Sequence, residues 1–472
     1  MQLPHSLGII HIIGIGGVGM SAIAELLHAK NFQVQGSDQR DSSNVQRLRA
    51  QGIDVFIGHA SQNLKKARYV VISSAIKEIN PELKAARNLG LAIISRAEIL
   101  AELMRLYTTI SVTGTHGKTT TTSLIAHIFS TFAMDPSVIT GGIINDWNSN
   151  ARLGQGPWMI VEADESDGTF IKIPTQIGVL TNIDPEHLDY FGTTSNMHSQ
   201  YAMFMQQIPF YGLIVACIDQ KIISDMISHM RLRYNGRRLI SYGCTPSADI
   251  VLKDIEIISN QTIFSADFGE RMPGGARSID RWMVPIPGTH NALNALAAIA
   301  VASEADIPDE HIRMALSSFS GIKRRFQLIS SAHGVSIYDD YAHHPIEIKA
   351  VLAAAREGTK GRIFAVVEPH RYSRIRDLFQ DFCKCLNNAD RVFVIPLYTA
   401  GEQPIEGITS ASLVMGILAN GHSSVTSVEH INELASLLRD ETHEGDMIIF
   451  LGAGQSTTWA HKLSNLMVER QS

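Results

Sequence analysis

A short run of glycine, lysine and threonine carries the most specific chemistry in this 472-residue chain: Ser111–Val112–Thr113–Gly114–Thr115–His116–Gly117–Lys118–Thr119–Thr120–Thr121–Thr122. The pattern predicts a strand over Tyr107 to Val112 before it and a helix over Ser123 to Phe132 after it. Strand, glycine loop and helix in that order aim backbone N–H groups and a helix N-terminus at an anion. Lys118 adds a point charge for phosphate, and Thr119 a hydroxyl for Mg2+. The spacing departs from the common phosphate loop, which would need glycine at 112, where valine stands. A plain Gly/Thr turn with a surface lysine is the alternative. The joint arrival of strand, turn, Lys-Thr and helix favours a nucleoside triphosphate site.

Polar clusters follow at the ends of other strand-like runs. Ile160 to Asp167 carries Glu162, Asp164, Glu165 and Asp167. Carboxylates at a strand's C-terminal end beside a phosphate loop suit Mg2+. Glu162 alternates with Val161 on the strand itself and is best placed to point into the site. Asp164 and Glu165 stay as alternatives, as does a solvated acidic turn. Thr181 to Asp189 ends the next strand and holds His187, either a buried structural histidine or part of a shared metal and phosphate site. Asn291 and Asn294 stand three apart at the start of an alanine-rich helix and share a face. Their amides can read an adenine edge or cap the helix. Lys323-Arg324-Arg325 is a solvated charge run, or it supplies a hinge arginine that swings onto a γ-phosphate. Tyr338 to Pro345 ends one strand, and Pro369 to Arg376 follows another. Arg371 and Arg374 are spaced for a bidentate clamp on a carboxylate.

A second glycine motif lies near the start. Gly14, Gly16 and Gly19 satisfy G-x-G-x-x-G within Gly14-Ile15-Gly16-Gly17-Val18-Gly19-Met20, and Asp38 follows at the end of the next strand. Such a loop makes a tight turn and sets a pyrophosphate on a helix N-terminus. NAD and UDP-sugars both carry a pyrophosphate, so the motif alone leaves an NAD-dependent oxidoreductase open.

These sites need elements to position them. Strands are expected at Gly8 to Ile15, Phe32 to Ser37, Val55 to Ile57, Tyr69 to Ser73 and Ala92 to Ile94, with helices at Gly16 to Lys30 and Pro81 to Leu89. That βαβ rhythm predicts a parallel sheet covered by helices. A second unit adds strands Trp158 to Glu162, Ile177 to Asn182 and Gly212 to Ile218, and helices Thr194 to Gln207 and Asn291 to Ala302. Short alternating runs over 236–285, such as Ile250 to Ile258 and Gln261 to Phe268, suggest antiparallel strands inserted in an α/β domain. Gly321 to Arg325 is expected to be a hinge or linker. A third α/β unit has strands Ser336 to Asp339, Ile363 to Val367, Arg391 to Ile395 and Met447 to Leu451. The expected boundaries are 1–106, 107–321 and 322–472, with ligands in the clefts between units.

Composition sets outer bounds. Hydrophobic residues at 45% and charged residues at 18% are an ordinary globular balance. A net charge of −6 gives no electrostatic reason to expect nucleic-acid binding. Cys217, Cys244, Cys383 and Cys385 form no CxxC pair or metal-ligand spacing, which suits a reducing compartment. The N-terminus lacks a basic region followed by a long apolar core, and no window suggests a membrane span. The expectation is a cytoplasmic protein, a monomer or weak dimer, without membrane insertion.

Taken in order, GIGGVGM, GTHGKTTTT, EADESD, NIDPEHLDY, GTHNALNA, KRRFQ, DDYAHHP and PHRYSR resemble the Mur ligase family over nearly the whole chain. The resemblance implies three α/β domains. The first and third would be Rossmann-like. The central one would be P-loop ATPase-like, with a mainly parallel sheet and an antiparallel part. It also implies ATP-dependent amide formation through an acyl phosphate in peptidoglycan precursor synthesis, with ATP and Mg2+ as cofactors and UDP-N-acetylmuramate and L-alanine as partners. A recycling ligase that attaches a preformed tripeptide to the same UDP-sugar is the related alternative. By the resemblance, Gly114 to Thr120 would cradle ATP and Lys118 would hold its β- and γ-phosphates. Thr119 and Glu162 would bind one Mg2+ and His187 a second. Asn291 and Asn294 would bind adenine, Asp339 would lie near the ribose, and Arg325 would meet the γ-phosphate. His343 and Tyr341 would line the reaction cleft, and Arg371 and Arg374 would receive the alanine carboxylate. Gly14, Gly16, Gly17, Val18, Gly19, Met20, Ser37, His59, Ser73 and Arg96 would form the UDP-sugar site. One departure stands out: several sister ligases place a carbamylated lysine after the metal histidine, whereas this chain has no lysine between Lys172 and Lys221. The general base for the alanine ammonium is not assigned.

Overall fold

The structure is a computed structural model and describes residues 8–73, 75–166, 168–230, 236–258 and 260–468. Its strands form three separate sheets, met in sequence order along the chain. The first has five parallel strands, in the order Asp54–Ile57, Val34–Asp38, Ile9–Ile13, Ala67–Ile72, Ala92–Ser95. The order reverses beside Ile9–Ile13, the switch point at which such sheets bind ligands beyond their strand C-termini. Gly14 to Gly17 sits there, and the helix Val18–Ala29 follows.

Ten strands make the central sheet: Arg277–Val284, Gln261–Phe268, Ile250–Ile258, Arg238–Gly243, Leu213–Cys217, Ile177–Leu180, Thr108–Thr113, Trp158–Glu162, Ser137–Ile144 and Ser149–Arg152. Its middle is parallel. The antiparallel strands are not an insertion. They extend the same sheet at one edge, and the hairpin Ser137–Ile144/Ser149–Arg152 extends it at the other. Arg238–Gly243, within the stretch expected to be antiparallel, is parallel to both neighbours.

The phosphate-loop helix starts earlier than its sequence suggests. It runs Lys118–Thr131 and takes in the threonines that the pattern left in a loop. β-branched residues disfavour helix locally, but Thr119 to Ser123 are all buried here, so packing decides. The partner helix Thr289–Glu304 is rich in alanine, and small side chains let it lie against the sheet; Ala292, Ala295 to Ala298 and Ala300 are fully buried in the same core as Leu124 and Phe129. Several short helices were not expected, among them two in the first unit. Ser43–Ala50 is capped by the Ser42 hydroxyl, and Arg96–Met104 by a capping box of Ser95 and Glu98.

The third sheet runs Gln327–Ala332, Val335–Asp340, Met447–Leu451, Ile363–Val367, Arg391–Val394, Val425–Ser427, parallel except for its first strand. Separate apolar clusters cover its two faces, as a parallel sheet requires. The linker from Gly321 is tied down rather than loose. Asn145 N donates to Gly321 O at 3.2 Å, and Lys323 N to Ile143 O at 2.9 Å. Among the described residues no helix is long and apolar enough to cross a membrane.

Because Leu296 is fully buried between the helix pair and the central sheet, Leu296→Ala is expected to cost about 2–5 kcal/mol of stability. A denaturant midpoint unchanged from the parent protein would contradict that packing.

Candidate active site

Three adjacent parallel strands bring the central cluster together. Thr108–Thr113 lies between Trp158–Glu162 and Ile177–Leu180, so the phosphate loop, the acidic segment and the Thr181–His187 segment leave the same sheet edge. The loop is braced by its neighbour. Asn182 Oδ1 accepts from His116 N at 2.8 Å, and Thr181 Oγ1 and Asn182 Nδ2 donate to His116 O at 2.7 and 2.9 Å. Asp184 N donates to Thr115 Oγ1 at 2.8 Å. Two glycines are obligatory. At Gly114, with φ of +131°, a Cβ would lie 2.1 Å from Thr181 Oγ1; at Gly117, with φ of +81°, it would lie 2.4 Å from Asn294 Oδ1.

Lys118 folds back over this loop. Its ammonium donates to Gly114 O at 2.7 Å, Thr115 O at 3.0 Å and Glu165 Oε1 at 2.8 Å. Burial pulls the ammonium down, but Glu165, Glu162 and Asp164 outweigh it and hold its pKa above the usual lysine value. Burial pushes the Glu165 carboxyl up, to about 7, against the pull of Lys118. Glu162 takes a different place: it accepts from Thr119 Oγ1 at 3.1 Å, Thr140 Oγ1 at 2.9 Å and Gly141 N at 2.6 Å. The structure thus divides the acidic residues, with Glu162 beside Thr119 and Glu165 on Lys118. Asp164 is exposed and accepts from Ser166 N, and Asp167 lies outside the described residues. His187, at φ of 54°, comes within 3.9 Å of Glu165.

A cavity of about 310 Å3 opens between the central and third units. His116, Gly117, Thr120, Asn291, Asn294 and Arg325 line it. Asn291 Nδ2 donates to Pro287 O at 2.7 Å and Asn294 Nδ2 to Asn291 Oδ1 at 3.2 Å, so the two amides are locked into one orientation. Asp339 was the aspartate expected near the ribose. Asp340, not Asp339, lines the cavity. Successive side chains on Val335–Asp340 face opposite sides, and Asp339 turns away to lie 3.7 Å from Arg324 Nε. Burial lifts the Asp340 carboxyl to about 6 while Arg325 draws it down.

The third unit closes the cleft. Arg324 and Arg325 lie over the Tyr341 ring at 4.7 and 5.5 Å. The His343 and His370 rings are 5.5 Å apart. Burial lowers the His343 imidazole below its ordinary value. The expected clamp is altered. Arg374 bonds Glu186 of the central unit at 3.1 Å, while Arg371 is an exposed helix cap at φ of 67°. Glu186, which the sequence reading passed over inside NIDPEHLDY, therefore belongs to the cleft. So does Glu347, which accepts from His116 Nδ1 at 3.1 Å across the same boundary.

In the first unit Gly14 N and Ile15 N donate to Ser37 O at 2.8 and 3.0 Å, Gly16 N donates to Asp38 Oδ2 at 2.9 Å, and Gly17 N turns back to Gly14 O. Val18 opens the helix. A Cβ on Gly19 would lie 3.3 Å from the Arg96 guanidinium, and Ser73 begins the turn that reaches Ile76, beside Gly14. Two expected contacts face inward instead: the Met20 side chain packs in the core, and the Ser37 hydroxyl donates to buried Glu82 at 2.5 Å.

With this geometry in hand, comparison with known proteins is direct. The model of the Mur ligase family catalytic domain matches residues 9–108, that of the Mur ligase middle domain residues 112–302, and that of the Mur ligase glutamate ligase domain residues 324–454. The chain belongs to the Mur ligase family. Among Mur ligases it is 49% identical over 470 residues to the UDP-N-acetylmuramate–L-alanine ligase of Methylobacterium radiotolerans, covering 100% of both chains. It is 50% identical over 463 residues to the ligase of the same name from Agrobacterium fabrum, covering 98% of each. Its fold matches the crystal structure of the UDP-N-acetylmuramate–alanine ligase of Thermotoga maritima with a TM-score of 0.78 at 26% identity, over 97% of this chain and 98% of that one. The murein peptide ligase of Psychrobacter arcticus shares the Mur ligase fold, with a TM-score of 0.66 at 24% identity over 98% and 100% of the chains.

The His116–Glu347 pair makes a signed prediction. Burial raises the Glu347 carboxyl, but His116 and His343 more than offset it and hold it well below 4.5. Its contribution to stability is present above pH 4.5 and is lost as pH falls toward the lowered value. Burial lowers His116, but Glu347 and its neighbours raise it above 6.5, so its contribution is present below pH 6.5 and lost as pH rises through the raised value. Glu347→Gln should therefore lose most stability between about pH 4.5 and 6.5, with a flatter acid limb in melting temperature against pH. A variant whose curve runs parallel to the parent's at all pH values would contradict the pairing.

Proposed function

We infer that this Mur ligase joins L-alanine to the lactyl carboxylate of UDP-N-acetylmuramate, with ATP converted to ADP and phosphate. The observation that carries the reading is near-50% identity over the full chain to ligases of that name. The two murein peptide ligase structures are 24% and 28% identical to this chain, well below the near-50% of the alanine ligases, so attachment of a preformed tripeptide is the less favoured reading. An NAD-dependent oxidoreductase would leave the Lys118 loop, its acidic partners and Arg325 without a task. The substrates, a sugar nucleotide and ATP, put the reaction in the cytoplasm, as the first peptide step of peptidoglycan precursor synthesis.

The chemistry asks the cleft to activate a carboxylate. A carboxylate oxygen attacks the γ-phosphorus of ATP, ADP leaves, and an acyl phosphate forms. The alanine amine, having given up its ammonium proton, attacks the carbonyl carbon; phosphate leaves and the amide remains. Lys118 sits where it can exchange its loop carbonyls and Glu165 for β- and γ-phosphate oxygens. Asn291 and Asn294 offer fixed amides to adenine, and Arg325 reaches the same cavity from the third unit. Asp340 takes the place first given to Asp339 beside the ribose. Tyr341, His343 and Arg374 are assigned to the amino-acid side of the cleft, with Arg374 released from Glu186 toward the alanine carboxylate.

Among the described residues no three His, Cys, Asp or Glu side chains gather as a ready-made metal cage. That suits Mg2+, which binds through one or two protein oxygens together with substrate phosphates and water. The Thr119 hydroxyl and Glu162 carboxylate, already in contact, are the donor set that fits it; Glu165, with one buried oxygen unpartnered, and His187 lie next to them. When bound, Mg2+ would supply positive charge to the phosphate oxygens.

Purified protein should release phosphate only when ATP, Mg2+, UDP-N-acetylmuramate and L-alanine are all present. Release with a tripeptide but not with alanine would overturn the assignment. Lys118→Ala should reduce turnover by about 100- to 1000-fold, since the charge stabilisation lost is of oxyanion-hole type; a near-normal rate would sink the loop's assigned role.

A further inference from the structure

The chemistry above gives Arg374 a task but names no side chain that aims it. Both terminal nitrogens of its guanidinium are held. Nη2 donates to Glu186 Oε1 at 3.1 Å across the cleft, and Nη1 lies 3.3 Å from Nδ1 of His370, four residues earlier in the chain. A guanidinium has donors only, so His370 Nδ1 must accept. The imidazole is therefore neutral and carries its hydrogen on Nε2. Burial first, then His343 and Arg374, push the ring down to about 3, which agrees with that form.

The acceptor is itself fixed. The His370 ring stacks on Tyr398, with centroids 5.4 Å apart and planes 15° apart. Tyr398 N donates to Pro369 O at 2.8 Å and Tyr398 O accepts from Arg371 N at 2.9 Å, so one residue brackets the backbone on both sides of His370. Within that bracket Arg371 is held at φ of 67° and ψ of 135°, a strained conformation for a residue with a side chain. Ser373 N and Oγ donate to Glu402 at 3.0 and 2.6 Å, one residue before Arg374. Tyr398 in turn abuts Gly454, where a Cβ would lie 2.5 Å from Tyr398 Cγ. Glu368 holds that turn, accepting from Gly454 N at 2.8 Å and Gln455 N at 2.6 Å.

The two partners of Arg374 act differently on its charge. Glu186 neutralises it, so an incoming carboxylate must compete with Glu186. The His370 lone pair orients the guanidinium and leaves its charge unspent. We propose that His370 is a positioning residue for the amino-acid side of the cleft: its neutral Nδ1 holds Arg374 Nη1, so that when Glu186 gives way the guanidinium keeps both its direction and its full charge for the substrate carboxylate. The proposal rests on the amide-ligase reading above, which assigns Arg374 to that carboxylate.

Three variants of the full-length protein test it. His370→Phe keeps a ring on Tyr398 but removes the acceptor; the KM for L-alanine should rise about tenfold, with kcat and the KM for ATP little changed. His370→Asn, whose Oδ1 stands where Nδ1 stood, should recover most of that loss. His370→Asp puts a charged acceptor at the same point and should raise the KM at least as much as His370→Phe, because it neutralises Arg374. A parent-like KM in His370→Phe, a loss confined to kcat or melting temperature, His370→Asn no better than His370→Phe, or His370→Asp equal to His370→Asn refutes the proposal. If the parent protein shows no turnover with L-alanine, the functional reading has failed and the proposal falls with it. Nitrogen NMR of 15N-histidine-labelled parent protein, with His370 assigned by His370→Asn, needs no turnover. The His370 ring should be the neutral Nε2–H form at about pH 6, and its Nδ1 signal should move in Arg374→Met as the hydrogen bond is lost. A protonated Nδ1, or an Nδ1 signal that Arg374→Met leaves in place, also refutes it.

Discussion

The hydrogen bonds between the phosphate loop and the segment leaving the next strand are the constraint on which the rest of the cleft depends. A loop that must present its N–H groups to an anion cannot satisfy them within itself. Here Thr181 and Asn182 hold the peptide groups of Thr115 and His116 from one side, and the Asp184 N–H holds the Thr115 hydroxyl. That support lets the loop be short and leaves no space for a side chain at Gly114. It also fixes the direction of the helix from Lys118, and so the place where Thr119 meets Glu162. The same bracing strand carries on to Glu186 and His187, which bring the third unit and Glu165 into the arrangement.

Charge balance then explains why the acidic segment is divided. Lys118 is surrounded by carboxylates, and a buried ammonium beside several of them stays protonated. Glu165 is driven the other way by burial, so it sits near neutral pH as an uncertain anion rather than a permanent one. Glu162, tied to Thr119, Thr140 and the backbone of Gly141, is held in place by neutral donors. Glu165 is tied to a single side chain, Lys118, whereas Glu162 is built into the sheet edge. Neighbouring carboxylates on one short segment thus have different tasks, set by what each side chain touches.

Much of this was legible in the residue order. Glycine loops announce themselves because only glycine tolerates their torsions and close contacts, and strand alternation marks Glu162, which meets Thr119. The failures have equally definite causes. Asp339 and Asp340 are adjacent, and successive strand residues face opposite sides, so only Asp340 lines the cavity between the units. The helix from Lys118 was read as starting late because four consecutive threonines have low local propensity, while the packing of Thr289–Glu304 against them lies about 170 residues away. Glu186, Glu347 and Glu82 act through partners in distant segments: Arg374, His116 and Ser37. No local periodicity encodes such pairings. Arg96–Met104 is the different case, since its Ser-x-x-Glu cap was present in the sequence and went unused.

The two ties across the main cleft differ in what breaking them would leave behind. Both pairs, Arg374–Glu186 and His116–Glu347, join side chains that are 13–16% exposed, so neither resembles a solvent-screened surface pair. Glu347 keeps compensation if the units part, because it also accepts from the backbone N–H groups of His343 and His344 at the start of its own helix. Among the described residues Glu186 has no hydrogen-bond donor but Arg374, so its charge is left more exposed when that contact is lost. On the proposed function, the carboxylate of an incoming amino acid would take Arg374 while its ammonium faced Glu186. On that proposal, the contact that joins the two units carries the two charges, one of each sign, that a zwitterion between them would need.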